Sequence, residues 1–201
     1  VAKSSSVPQE KLILASGSPR RRELLAEMGV AFEVITADVE ELAALDCAYP
    51  TPVDLAIANA RSKASAVAKS AKGIHRQILG ADTVVALENY LFGKPLSLEQ
   101  AREFLRALSG KTHEVITGCV LFDGTGQEQA FHEVSRVTFK PLTEDVIERY
   151  LAEVHVLDKA GAYALQEHGD WIVERVEGSH NNVIGLPTER LTKLFQNGGV
   201  L

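Results

Sequence analysis

With 201 residues, 45% of them hydrophobic, the chain is long enough to bury a substantial core, which speaks against a disordered protein. Its formal charge of −6 speaks against a general nucleic-acid binder; no run approaches the ~18 apolar residues of a membrane span, and the polar opening VAKSSSVPQE lacks the apolar stretch of a secretory signal. Cys47 and Cys119 supply neither a disulfide framework nor a zinc site, so both are read as packing residues and a cytoplasmic setting is expected.

The first ten residues are expected to be a flexible lead-in and residues 198–201 to fray. Residues 11–15, KLILA, predict a short buried strand, followed by a Ser-Gly-Ser turn. A helix then runs over 19–29, with Ser18 as its cap, Pro19 at its first position and Gly29 as its stop. Residues 32–36 predict a second strand. Residues 37–52 form an acidic loop, and a helix carrying Leu55, Ala56, Ala60, Ala64 and Val67 on its apolar side extends to about residue 72. The β-branched run 77–87 predicts a long strand that turns through Glu88 and Asn89 into 90–92. Ser97 caps a helix through Leu108, two strands follow at 111–123 and 129–140 around a Gly-rich turn, and a helix spans 143–153. A strand over 171–176 and a helix after Pro187 complete the chain. This order lacks a regular βαβ rhythm, and it predicts an α/β (α+β mixed) fold on a mixed sheet. Internal repeats and heptads are absent from the sequence.

Charge is spread unevenly. Residues 1–30 carry five Lys/Arg against three Glu, whereas residues 38–54 carry five carboxylates and no basic residue. In an acidic chain, a small polyanionic substrate needs positive charge gathered locally. The predicted helix start supplies such a place. Arg20 and Arg21 fall in its first turn, where the helix dipole disfavours cations by ~0.3–1 kcal/mol each, and a bound oxyanion would compensate. Ser16 adds a hydroxyl donor, and Gly17 lets the backbone approach. The alternative is three arginines that merely solvate a surface helix.

Along ILGADTVVAL, alternation puts Asp82 on an otherwise apolar face with Ile78, Gly80, Val84 and Ala86, and Thr83 on the opposite face. A carboxylate there is costly unless paired, so Asp82 is expected to line a cleft, with Gly80 leaving room for a ligand. A strand-end aspartate in a turn or salt bridge is the competing reading. Lys94 sits in a Gly-Lys-Pro turn that fixes its backbone, and Lys63 lies on the polar side of an Ala-rich helix; either is otherwise a solvated lysine.

LASGSPRRRELL followed by GVAFEVITADVEE resembles the opening of the Maf-like nucleotide pyrophosphatases, also described as septum-formation inhibitors. The likeness continues in the same order through ARSKASA, LGADTVV, FGKP, LSGKTHEVITG, DKAGAYALQ and NVIGLP, from about residue 11 to residue 194. The resemblance implies an inosine-triphosphatase-like (Maf/Ham1) architecture: a single domain over 11–197 whose two lobes flank a central cleft in a twisted mixed sheet. It implies that Asp82 is the proton acceptor that activates water, that Ser16, Arg20, Arg21, Lys63 and Lys94 bind substrate, and that Glu41 helps to hold a metal or position water. Asp82 and Glu41 are then the ligands of a divalent cation, Mg²⁺ or Mn²⁺, a site that needs few protein carboxylates. Read alone, Glu40 and Glu41 are a solvated acidic loop.

Arg20, Thr83 and Gln166 resemble the specificity set of the family branch that acts on dTTP and UTP. The Gln166 amide, which both donates and accepts, suits the edge of uracil or thymine, although in isolation it reads as an exposed polar side chain. The chain departs from the pattern at Glu167, where the family usually has glycine. The implied partner is a small nucleoside triphosphate, cleaved to the monophosphate and pyrophosphate in a house-cleaning role. Neither nucleic acid nor membrane is an expected partner. Family members form homodimers, though no exposed stripe here demands one. Two rivals remain: a 7-methyl-GTP pyrophosphatase, and a nucleotide-binding regulator of cell division with little turnover.

Overall fold

The computed structural model describes residues 11–43, 48–70, 76–88 and 90–198. The expectations for residues 1–10, Cys47, the helix end at 71–72, Asn89 and the last three residues lie outside these. A seven-stranded mixed sheet runs in the order β2-β1-β3-β5-β6-β7, with β4 also pairing β3. Its first half is parallel: β1 (Leu12–Leu14) lies between β2 (Phe32–Val34) and β3 (Ile78–Leu87). Its second half is antiparallel, with β5 (Thr112–Phe122), β6 (Glu128–Phe139) and β7 (Val173–Glu177) succeeding one another. The parallel half is built from β1, α1 (Pro19–Glu27), β2, α2 (Pro52–Ser70) and β3, a βαβαβ run whose five elements the sequence predicts; the rhythm stops there, because the later strands succeed one another antiparallel.

Two faces of the sheet take different helices. On one, α2 seats on β3 and β5 through Ala56, Ala60 and Ala64, and the seat is a pair of glycines. A Cβ at Gly80 would stand 2.2 Å from the Ala60 carbonyl oxygen, and one at Gly118 would stand 2.5 Å from the Ala56 carbonyl carbon. The space beside Gly80 is therefore filled by α2, which corrects the expectation that it receives a ligand. The start of α2 is secured by Thr51, whose hydroxyl oxygen accepts from the Asp54 N–H at 3.1 Å.

On the other face, α1 and α7 (Thr188–Gly198) close a core of Leu14, Leu25, Leu79, Ala81, Leu191 and Phe195. Farther along, α3 (Leu98–Leu108) and α4 (Glu144–Glu153) close a second core over Val85, Val115 and Phe139. The alternation along β3 holds: Leu79, Ala81 and Val85 face these cores, while Ile78 and Ala86 pack on the α2 side.

Three local details differ from expectation. Trp171 lies in α5 (Gly169–Ile172), a single helical turn, so β7 begins only at Val173. Ala160–Ala162 form a 3-10 turn, and α6 (His180–Ile184) precedes α7. Each is too short to leave a periodic signal. Among the described residues, no helix is long and apolar enough to cross a membrane.

Candidate active site

The site exists because β3 is longer than its neighbours on one edge. β1 pairs only with Ile78 and Leu79, and β4 (Tyr90–Phe92) pairs only with Val85 to Leu87. Between them the edge of β3 from Gly80 to Val84 has no strand beside it, and a cavity of about 700 Å³ opens there. Asp82 and Thr83, on opposite faces of the strand, both border it. The cavity also lies beyond the carboxyl end of β1, where open sheets with parallel strands characteristically bind ligands.

From the α2 side, two side chains one helical turn apart reach Asp82. Lys63 Nζ donates to Oδ1 at 2.6 Å and Asn59 Nδ2 donates to Oδ2 at 3.0 Å, so a 6% exposed carboxylate accepts with both oxygens. Lys63 Nζ also lies 2.8 Å from Glu41 Oε1, and Lys94 Nζ lies 3.1 Å from Glu41 Oε2. Lys94, Glu41, Lys63 and Asp82 thus form one chain of alternating charge along the cavity wall. Burial favours the neutral acid of Glu41, but hydrogen bonds and charge from Lys63, then Lys94, outweigh it and hold the carboxyl at about 2. Lys63 is no solvated helix lysine; its side chain is only 12% exposed.

From the opposite face, Ser18 caps α1 as expected, accepting from the Arg21 N–H. Arg21 is buried. Its Nε donates to the Gly185 carbonyl at 2.8 Å, Nη1 to Ser16 Oγ at 3.0 Å and Nη2 to Thr83 Oγ1 at 2.9 Å. Burial pushes its pKa down, opposed by the charge of Asp82. The Thr117 hydroxyl donates to the Asn182 carbonyl, so its oxygen, 2.9 Å away, takes the proton of Thr83. Donation therefore runs from Arg21 to Thr83 to Thr117. Ser16 accepts from Arg21 and, more weakly, from the Ser18 N–H, which leaves its own proton to serve a ligand.

Arg20 spans the mouth of the cavity and pairs with Asp158 at 2.9 Å. Asp158 in turn meets Lys159 at 3.0 Å, and Lys159 meets Glu167 at 3.3 Å although its side chain is only 5% exposed. Gln166 borders the cavity as an exposed side chain with no hydrogen-bond partner among the described residues. The structure therefore gathers Ser16, Arg20, Arg21, Glu41, Lys63, Asp82, Thr83, Lys94 and Gln166 around one cavity. Sequence reasoning missed Asn59, Asp158 and Lys159. Asn59 carried a readable signal, since a polar residue sits on the Ala56, Ala60, Ala64 side of α2; the other two open the DKAGAYALQ match but stand in a loop, where spacing gives no sign of their partners.

Among the described residues, five cations line the cavity against four carboxylates, in a chain whose total charge is negative. The arrangement can receive a polyanion and present an oriented carboxylate to a water molecule. No cluster of three or more metal-ligating side chains occurs among the described residues. Glu41 and Asp82 do converge on one cation, the Lys63 ammonium, and two carboxylates suffice for a hard divalent ion that also takes water and phosphate oxygens.

The family model described as Maf-like protein matches residues 11–198. A protein of Bacillus anthracis named dTTP/UTP pyrophosphatase is 45% identical over 183 residues, 91% of this chain and 93% of its own length. One of the same name from Bacillus cytotoxicus is 45% identical over 194 residues, covering 94% and 97%. The solved structure of the Staphylococcus aureus Ham1 protein is only 14% identical, but superposes with a TM-score of 0.52 over 94% of this chain and 100% of that one, a likeness of fold. With a family match over nearly its whole length and relatives this similar, the chain belongs to the Maf-like protein family.

Proposed function

We propose that this protein is a nucleoside triphosphate pyrophosphatase that hydrolyses dTTP and UTP to the nucleoside monophosphate and pyrophosphate. The observation that carries the reading is Asp82, an oriented, nearly buried carboxylate on an open strand edge, in a cavity ringed by cations. The names of the 45% identical relatives supply the substrate class.

Asp82 takes a proton from water as the water oxygen attacks the α-phosphorus. The bond between that phosphorus and the α,β-bridging oxygen breaks, and pyrophosphate leaves. Lys63 and Lys94 exchange their shared partner, Glu41, for phosphate oxygens, while Lys63 keeps its bond to Asp82. Arg20 closes on the triphosphate from the cavity mouth, and Ser16 donates its free hydroxyl proton. Arg21 acts chiefly as a strut, since all three of its guanidinium nitrogens are engaged by protein acceptors. Glu41 and Asp82 would hold a Mg²⁺ or Mn²⁺ ion, which supplies charge neutralisation at the phosphates. The work of the protein is mainly electrostatic, because the transition state spreads charge over phosphate oxygens. Gln166 faces the base, and the Lys159–Glu167 pair beside it sets the loop that presents it. The setting is cytoplasmic, where nucleotide pools are policed before they enter nucleic acid.

The test is pyrophosphate release from dTTP, UTP and 7-methyl-GTP in Mg²⁺, for the wild type and Asp82→Asn. Turnover of the pyrimidine nucleotides, with kcat lowered by about 10²–10⁴ in the variant, is expected. Preference for the methylated purine overturns the substrate assignment. Binding without turnover of any of the three makes the protein a nucleotide-dependent regulator.

A further inference from the structure

Asn59 has an unusual set of obligations for a residue in an Ala-rich helix. It is 3% exposed, and both of its polar atoms are used. Its Oδ1 accepts from the Leu42 N–H at 2.8 Å, and its Nδ2 donates both to the Leu42 carbonyl at 3.0 Å and to Asp82 Oδ2 at 3.0 Å. The Leu42 N–H is a donor and can be met only by the amide oxygen, so the orientation of the amide is decided by chemistry. The NH₂ group must then face Asp82.

We propose that Asn59 is a positioning residue for the hydrolysis, tying the Glu41 loop and the Asp82 carboxylate into one fixed geometry. Leu42 lies in a segment with neither helix nor strand, directly after Glu41. Pinning Leu42 sets where Glu41 meets Lys63 and Lys94. The second amide hydrogen sets the plane of the Asp82 carboxylate, with Lys63 holding its other oxygen. Asn59 and Lys63 are one turn apart on the face of α2 that seats on β3, so the same helix placement determines both contacts. Asn59 touches neither water nor phosphate in this scheme. It acts through Asp82 and Glu41, and the inference therefore rests on the reading of Asp82 as the water-activating group.

Asn59→Ala removes all three bonds while favouring the helix. With the phosphate-holding cations retained, kcat at 25 °C is expected to fall roughly 10–100-fold with KM for dTTP changed less than about threefold, the pattern of lost transition-state geometry. The companion measurement is amide exchange by NMR in metal-free Asp82→Asn. The substituted amide has one oxygen for two donors; Lys63 claims it, and the NH₂ group then opposes that of Asn59. The Leu42 amide, held among the described residues only through Asn59, is expected to exchange several-fold faster. A folded Asn59→Ala protein with wild-type kcat overturns the inference, even if its melting temperature drops. Should Asn59→Ala fail to fold, unchanged Leu42 exchange in Asp82→Asn overturns it instead. Wild-type turnover by Asp82→Asn would sink the reading of Asp82 itself, a distinct result.

Discussion

Substituting alanine at Gly80 tests the fold and the site together. The added methyl would lie 2.2 Å from the Ala60 carbonyl oxygen and 2.9 Å from the Ala64 methyl, whereas comfortable carbon contacts are about 3.5–4.0 Å. Backbone is the obstacle, so no side chain can swing aside; α2 must retreat by about 1 Å. The helix that retreats carries Asn59 and Lys63, whose bonds to Asp82 are 3.0 and 2.6 Å long. The same displacement stretches both towards or beyond the ~3.2 Å limit of a good hydrogen bond. Overpacking of this kind costs ~1–3 kcal/mol, equivalent to a melting-temperature fall of about 2–12 °C for a chain of this size. Loss of geometry at Asp82 is expected to lower kcat by about 10²-fold at 25 °C, well below the melting transition. Thermal unfolding and pyrophosphate release measure the two effects. Gly169→Ala is the control, since its methyl would meet its nearest neighbours at an ordinary 3.6 Å. If Gly80→Ala matched that control in both stability and turnover, α2 would not rest on β3 as described, and the derivation of the Asp82 geometry would fall with it.

Two further outcomes follow from buried groups. His113 is 1% exposed, bonds Tyr163 through Nε2 and has no partner for Nδ1 among the described residues; burial pushes its pKa from 6.5 to about 4. Between those values the unfolded chain binds a proton that the folded chain refuses, so stability falls as pH drops from 6.5 towards 4, by ~3 kcal/mol in all. Urea denaturation at pH 7 and 4.5 should show this decline, and His113→Gln should remove its share; an equal decline in the variant would refute the assignment. Arg21→Lys keeps a charge but surrenders about two of three charge-assisted bonds, so a loss of about 3 kcal/mol and a melting temperature lower by about 6–12 °C are expected without nucleotide. Unchanged melting with a tenfold rise in KM would instead make Arg21 a phosphate ligand and not a strut.

Much of the site was legible because its signals are local. Ser18, Pro19 and the arginines mark a helix start whatever follows, and the alternation along β3 makes a carboxylate at position 82 conspicuous before any partner is known. Family resemblance points to Glu41 and Lys63, but their mutual contact is not legible in the sequence, since nothing in the spacing of 41, 63 and 82 requires one ammonium to serve both carboxylates. Gly80 marks the limit of such local signals. A glycine in a strand does signal close approach, but sequence cannot say whether a ligand or a helix approaches.

Local order along this chain is written in its residues: periodicity and caps act within a few positions, so helices, long strands and the anomalous Asp82 follow from the chain alone. The cavity belongs to the tertiary structure. It depends on β1 ending after Leu14 and on β4 ending at Phe92, opposite Val85, along one edge of β3, and on Arg20 meeting Asp158 across 138 residues. Such pairings arise only when distant segments close on a common sheet, where burial and register, not neighbouring sequence, select the partners.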